Sequence, residues 1–232
     1  MTGETGLEVL DGILRESAPT AALELRRVPP APNLQERLGS EATADEFDRA
    51  RALSHEDGIP FWHSVFRLGA GTPGGVRQQV LNAALYGQAT EHYATVTAGS
   101  DFVARAEQLI VESPDGNYVV ATSRVKHDRG ERHFLMLDFS VKERWTGATQ
   151  SAVGAIRALG TPGTILSSGR SFHFIGDNLA TWEDYSRFLY RALLLVPLVD
   201  ERWIAHQLLA RTATLRVSPN SQGDVPRAIT HV

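Results

Sequence analysis

Along LEVLDGILRES, Leu7 to Ser17, apolar residues recur three and four positions apart, which predicts an amphipathic helix that the VPPAP stretch stops. SEATADEFDRARAL repeats the helical pattern, with Ser40 or Thr43 as its N-cap. Together they predict a helical N-terminal accessory region over residues 1–60. Between 61 and 104 the order expected is a strand in IPFWHSVFRL, a loop in GAGTPGG and a helix in VRQQVLNAALYGQATEHYATV, a segment packing on the core. From Glu107 the pattern turns to β-rich runs: EQLIVES and NYVVATSRV around a Pro-Asp-Gly turn, then HFLMLDFSV, which reads as a meander. A helix in TGATQSAVGAIRALG, closed by Gly160 and Pro162, leads to a tight hairpin in TILSSGRSFHFIG. Two helices follow, NLATWEDYSRFLYRALLL capped by Thr181 and then DERWIAHQLL, before a last strand in ATLRVSP. Grouped strands with helices packed against them predict an α+β core over 105–232 rather than a doubly wound parallel sheet.

Alternation along the strands sorts the polar residues by face. Ser171, His173 and Ile175 point one way, toward an exposed or cleft side, and Phe172 and Phe174 the other, toward the core. Asp138 and Ser140 share a face opposite Leu135, Leu137 and Phe139. An aspartate at the end of so apolar a run is costly unless it sits at a strand end, is hydrogen-bonded or binds a metal.

Bulk composition narrows the classes. With 232 residues, 42% hydrophobic and 22% charged, the chain can bury a full core. The absence of cysteine removes a disulfide framework, a thiolate zinc site and a cysteine nucleophile. A net charge of -4 gives no global pull toward nucleic acid, so any such contact must be local. Only Lys126 and Lys142 are lysines among 23 basic residues, an arginine excess that suits phosphate forks and equally a GC-rich coding bias. No leader or membrane-spanning pattern is read, so a cytoplasmic protein with no membrane partner is expected. Gly69, Gly71 and Gly74 match a dinucleotide-loop spacing, with Glu91 further on, but Pro73 and the lack of a following parallel strand favour a plain loop. There is no G-x-S-x-G elbow and no close histidine pair for zinc. Trp182 and Trp203 fall on predicted helices and are assigned to the core, whereas Trp145 either packs or stacks on a base.

The motif series LMLDFS, SSGRSFH, LVD and LRVSP resembles that of the archaeo-eukaryotic primase superfamily over about residues 105–225. That superfamily includes primase-polymerases and small bacterial relatives found in defence loci. Its hydrophobic-Asp-x-Asp motif is met at Asp138 and departed from at Ser140, its small-x-His motif at Ser171 to His173, and its later hydrophobic-Asp at Asp200. The resemblance implies a primase-like (RRM-like) antiparallel or mixed sheet with packed helices. Asp138 and Asp200 would be metal ligands for Mg²⁺ or Mn²⁺ and, with His173, the catalytic set; Arg170, Ser171, His173, Arg216 and Ser218 would contact nucleotide phosphate. Nucleotide and nucleic acid, DNA or RNA, are the implied ligands, with a partner protein chain as a further expectation and nucleotidyl transfer as the activity. Ser140 removes one carboxylate, which Glu143 or Asp177 could replace. Its loss leaves open an inactive nucleic-acid-binding or scaffold module of a bacterial defence system. Read without the resemblance, His173 could equally be a hydrogen-bonded structural histidine, Asp200 a helix cap, and Arg170 and Arg216 solvated or paired with acids.

Overall fold

The computed structural model describes residues 3–29, 39–68, 78–82, 90–114, 116–127, 130–221 and 223–232. The chain divides into two compact units, residues 1–29 with 89–232, and residues 30–88. In the first unit helix α1 (Gly6–Ser17) opens on a capping box, in which Glu8 N–H donates to the Thr5 hydroxyl and Thr5 N–H donates to the Glu8 carboxylate. Strand β1 (Ala22–Val28) follows. The second unit contributes α2 (Glu41–Asp57), capped by Ser40, and α3 (Phe61–Leu68), which share a small apolar cluster around Ala50, Val65 and Val80. The chain then returns to the first unit through β2 (Glu91–Thr97), α4 (Phe102–Val111), β3 (Tyr118–His127) and β4 (Gly130–Asp138). Helix α5 (Ala148–Leu159) precedes the hairpin of β5 (Gly163–Ser167) and β6 (Phe172–Ala180). Last come α6 (Trp182–Ala192), α7 (Glu201–Ala210), β7 (Thr214–Arg216) and β8 (Arg227–His231). Among the described residues no helix is long and apolar enough to cross a membrane.

All eight strands join one antiparallel sheet in the order β2-β1-β3-β4-β6-β5-β8, with β7 on the edge of β3. The β3–β4 ladder covers only Arg124↔His133 to His127↔Gly130; nearer its start β3 pairs with β7, over Val120 to Thr122. The two neighbours therefore splay, and the end of β4 is left beside β7. On the other side of β4 the register with β6 shifts by two residues between Phe134 and Met136, which sets Asp138 opposite His173. Without that shift Asp138 would face Ile175.

One face of the sheet carries Phe174, stacked on Phe188 of α6 at 6.2 Å between ring centroids. The opposite face carries Met136, His173 and Ile175 beneath Gly6 and Leu10 of α1. The α+β architecture, the hairpin and helices α5, α6 and α7 follow the pattern read from the sequence. Four expectations do not. IPFWHSVFRL is a helix, because Phe61, Val65 and Leu68 repeat at helical spacing and outweigh the β propensity of the aromatics. EQLIVES belongs to α4, whose buried Phe102 and Ala106 lie ahead of the run read as a strand. The long helix expected over 76–96 is helical at 78–82, and its end is strand β2. Residues 1–29 are no accessory segment, since β1 lies between β2 and β3 and α1 buries Leu7, Leu10 and Leu14 in the main core. The glycine spacing at 69–74 lies outside the described residues.

Because Leu10 is fully buried and Leu194 is 84% exposed, Leu10→Ala should lower unfolding free energy by about 2–5 kcal/mol and Leu194→Ala by less than about 0.5. Urea unfolding monitored by circular dichroism measures both. An equal, small effect of the two would contradict the placement of α1.

Candidate functional site

Beyond Asp138 the chain continues in extended form and meets the segment that precedes α7. Phe139 bridges Val199, Ser140 N–H donates to the Leu198 carbonyl at 2.9 Å, and Asp200 N–H donates to the Asp138 carbonyl at 3.0 Å. These bonds bring two acidic residues sixty-two positions apart to one place. Asp200 caps α7, its Oδ1 accepting the Trp203 N–H at 2.8 Å. Among the described residues no side-chain hydrogen bond or ion pair engages its second oxygen.

The Asp138 carboxyl lies 3.7 Å from His173 Nε2, outside hydrogen-bond range. Its side chain is 25% exposed and that of His173 10%. Packing around Asp138, and then the Asp200 charge, push its pKa up to about 7, against weaker pulls from the Phe139 amide, Lys142 and Arg216. Burial, and then the Arg216 charge, bring His173 down to about 3. The imidazole is thus neutral near pH 7, and the pair is a half-open carboxyl beside an uncharged ring rather than a salt bridge. Between His173 and its covering residues, Gly6, Leu10, Leu166 and Val217 among them, no space admits a water molecule. The side of the sheet expected to be exposed is closed there by α1, and Asp138 is where it opens.

The remaining expected site residues separate into two groups. Arg216, 9% exposed, spends its guanidinium on the carbonyls of Ser168, Ser218, Gly223 and Asp224 at 2.5 to 3.3 Å. Ser218 accepts the Val119 N–H at 2.8 Å and donates to the Pro219 carbonyl, and Ser171 donates to the Phe139 carbonyl. These three hold backbone. Arg170, in contrast, is exposed in the β5–β6 turn. Ser140 donates to the Val199 carbonyl at 3.3 Å.

Both acids that could stand in for a second carboxylate beside Asp138 have other partners. Glu143 Oε1 accepts the Ser167 hydroxyl and the N–H groups of Ser168 and Gly169 at 2.8 to 3.0 Å, tying down the turn in which Gly169 adopts a φ of 85°. Asp177 pairs with His231 at 2.9 Å. Among the described residues no group of three or more His, Asp or Glu side chains could hold a metal ion. Three contributors escaped the sequence reading. Tyr118 lies close enough to Arg216 and Asp138 to feel both charges, and Lys142 acts on Asp138 from the turn beyond β4. Glu143 had been read for metal rather than for the turn. The signal for it was available, since a Ser-Ser-Gly turn leaves N–H groups that require an acceptor. Trp182 and Trp203 pack against the core as expected.

Asp138 and Asp200 thus stand at the end of an antiparallel sheet, with His173 on the adjoining strand. A model of the AEP-like family, archaeo-eukaryotic primase 1D-like, matches residues 99–229, more than half of the chain, and the chain belongs to that family. No curated protein and no solved structure matches it.

The opposed shifts of Asp138 and His173 give a pH test. From about pH 4 to 7 the native state keeps a proton on Asp138 that the unfolded chain releases, so this group's contribution to stability falls as pH rises. From about pH 3 to 6.5 the unfolded chain binds a proton that native His173 refuses, so its contribution rises. The two offset each other over most of that range. Asp138→Asn should unmask the His173 branch, gaining stability relative to wild type by up to about 1.4 kcal/mol per pH unit between pH 4 and 6.5. Unfolding midpoints across pH measure this, and parallel profiles would contradict the assignment.

Proposed function

We propose that this primase-like domain binds the phosphates of a nucleotide or nucleic-acid end at the mouth formed by Asp138, Asp200 and Arg170, and does so together with Mg²⁺ or Mn²⁺. The observation that supports this most is the acidic pair itself. Two carboxyls held side by side at a half-open position, one of them retaining its proton to about pH 7, form a site that a cation would relieve of its repulsion. Two carboxylates do not make a protein-only cage. They do fit an ion that keeps its waters and takes one or two carboxylates plus phosphate oxygens. Bound there, the ion would screen phosphate charge and could assist an in-line displacement.

The chain's own residues have separable tasks. Asp138 and Asp200 would hold the ion, and Arg170 meets phosphate from the turn. His173 fills the apolar space beneath Asp138 as a neutral ring, and Arg216, Ser171 and Ser218 fix the backbone around it. A second reading, binding without nucleotidyl transfer, is favoured by Ser140, whose hydroxyl is committed to the Val199 carbonyl where the family pattern has an acid.

Calorimetric titration with a nucleoside triphosphate should show binding that requires Mn²⁺ and weakens at least about tenfold in Asp138→Ala. Affinity should climb with pH toward 7 as the metal displaces the Asp138 proton, by up to about tenfold per unit. Binding indifferent to Mn²⁺ and to Asp138 would contradict the proposal. Nucleotide incorporation by wild type on a primed template, absent in Asp138→Ala, would select transfer over binding alone.

A further inference from the structure

We infer that Lys142, Arg144 and Trp145, in the turn between β4 and α5, form a contact for single-stranded nucleic acid outside the acidic mouth. The inference rests on the reading that the domain binds nucleic acid, and it adds the track along which a strand leaves the mouth.

Trp145 is 53% exposed, whereas Trp182 and Trp203 pack against the core. An indole left in water contributes little to folding and presents a flat apolar surface. Its turn is held in place: Trp145 N–H donates to the Lys142 carbonyl at 2.9 Å, and Ala148 N–H donates to the Trp145 carbonyl at 3.1 Å. Glu143, the acid between the two cations, faces inward to the β5–β6 turn through three hydrogen bonds, and its own N–H donates to the Arg170 carbonyl at 3.2 Å. Among the described residues no acidic side chain forms an ion pair with Lys142 or Arg144. Two cations therefore share a turn with an exposed indole on a chain whose net charge is -4. The patch also adjoins the mouth, because Lys142 is near enough to act on Asp138.

The chemistry selects the ligand. Cations alone would take any polyanion, but an indole on a rigid turn gains most from a π-face, which an unpaired base offers and a duplex hides inside its stack. Acidic peptides lack such a face. A sugar-phosphate backbone running past Lys142 and Arg144 could lay one base on Trp145.

Fluorescence anisotropy of a labelled twenty-nucleotide oligothymidylate, with the full chain in EDTA, tests this without the metal. Trp145→Ala should weaken binding about fivefold or more, while Trp145→Phe keeps most of it. Arg144→Ala should reduce the salt dependence by about 0.7 in the log–log slope. Titration of the same variants with nucleoside triphosphate and Mn²⁺ should match wild type, so that loss of the strand contact and loss of the acidic site are told apart. Equal strand binding by wild type, Trp145→Ala and Arg144→Ala would overturn the inference, as would a wild type that prefers duplex of the same length or that takes the triphosphate but no strand.

Discussion

The site depends on the junction between the end of β4 and the segment ahead of α7. Three contacts, Asp200 N–H to Asp138 C=O, Ser140 N–H to Leu198 C=O and the Phe139–Val199 bridge, join pieces of chain sixty residues apart. Were the two segments not paired, Asp138 would be an isolated acid at a strand end and Asp200 an ordinary helix cap. Paired, they repel one another, and that repulsion adds to burial in keeping a proton on Asp138. The polar groups around the junction are largely consumed in holding neighbouring backbone. Arg216, Ser171, Ser218 and Glu143 all serve backbone groups, while Arg170 is exposed in the β5–β6 turn.

This division of labour distinguishes a rigid shelf from a reactive one. An imidazole sealed under α1 and drained of charge supports its neighbour by filling space, and an arginine bound to four carbonyls is unavailable to phosphate. Of the polar residues singled out in the sequence, Arg216, Ser171 and Ser218 are turned toward architecture. Beside the inward-facing Glu143, neither Lys142 nor Arg144 forms an ion pair among the described residues.

Local pattern carried a good deal of this. Alternation in SFHFI set His173 opposite Phe172 and Phe174, alternation in FLMLDFS set Asp138 opposite Leu135 and Leu137, and the Thr181 cap marked α6 correctly. What local pattern could not hold was the two-residue shift between β4 and β6, a property of the pair of strands that decides which residue faces His173. Nor could it hold the destination of α1. An amphipathic stripe announces a buried face but not the surface that covers it, and here that surface is the His173 side of the sheet. IPFWHSVFRL turns helical because the spacing of Phe61, Val65 and Leu68 outweighs its aromatic content, and EQLIVES because a helix that starts at Phe102 runs on to Val111. Asp200 was ambiguous between cap and ligand on sequence grounds, and the structure shows the cap.

Asp138 holds a proton to near neutrality because burial, and then the Asp200 charge, disfavour its ionised form. Carbon-13 NMR of the Asp138 carboxyl across pH observes that proton directly. The account predicts a midpoint near 7 that moves down when Mg²⁺ and a nucleoside triphosphate are added. A midpoint near the ordinary 3.8, unmoved by either, would contradict it.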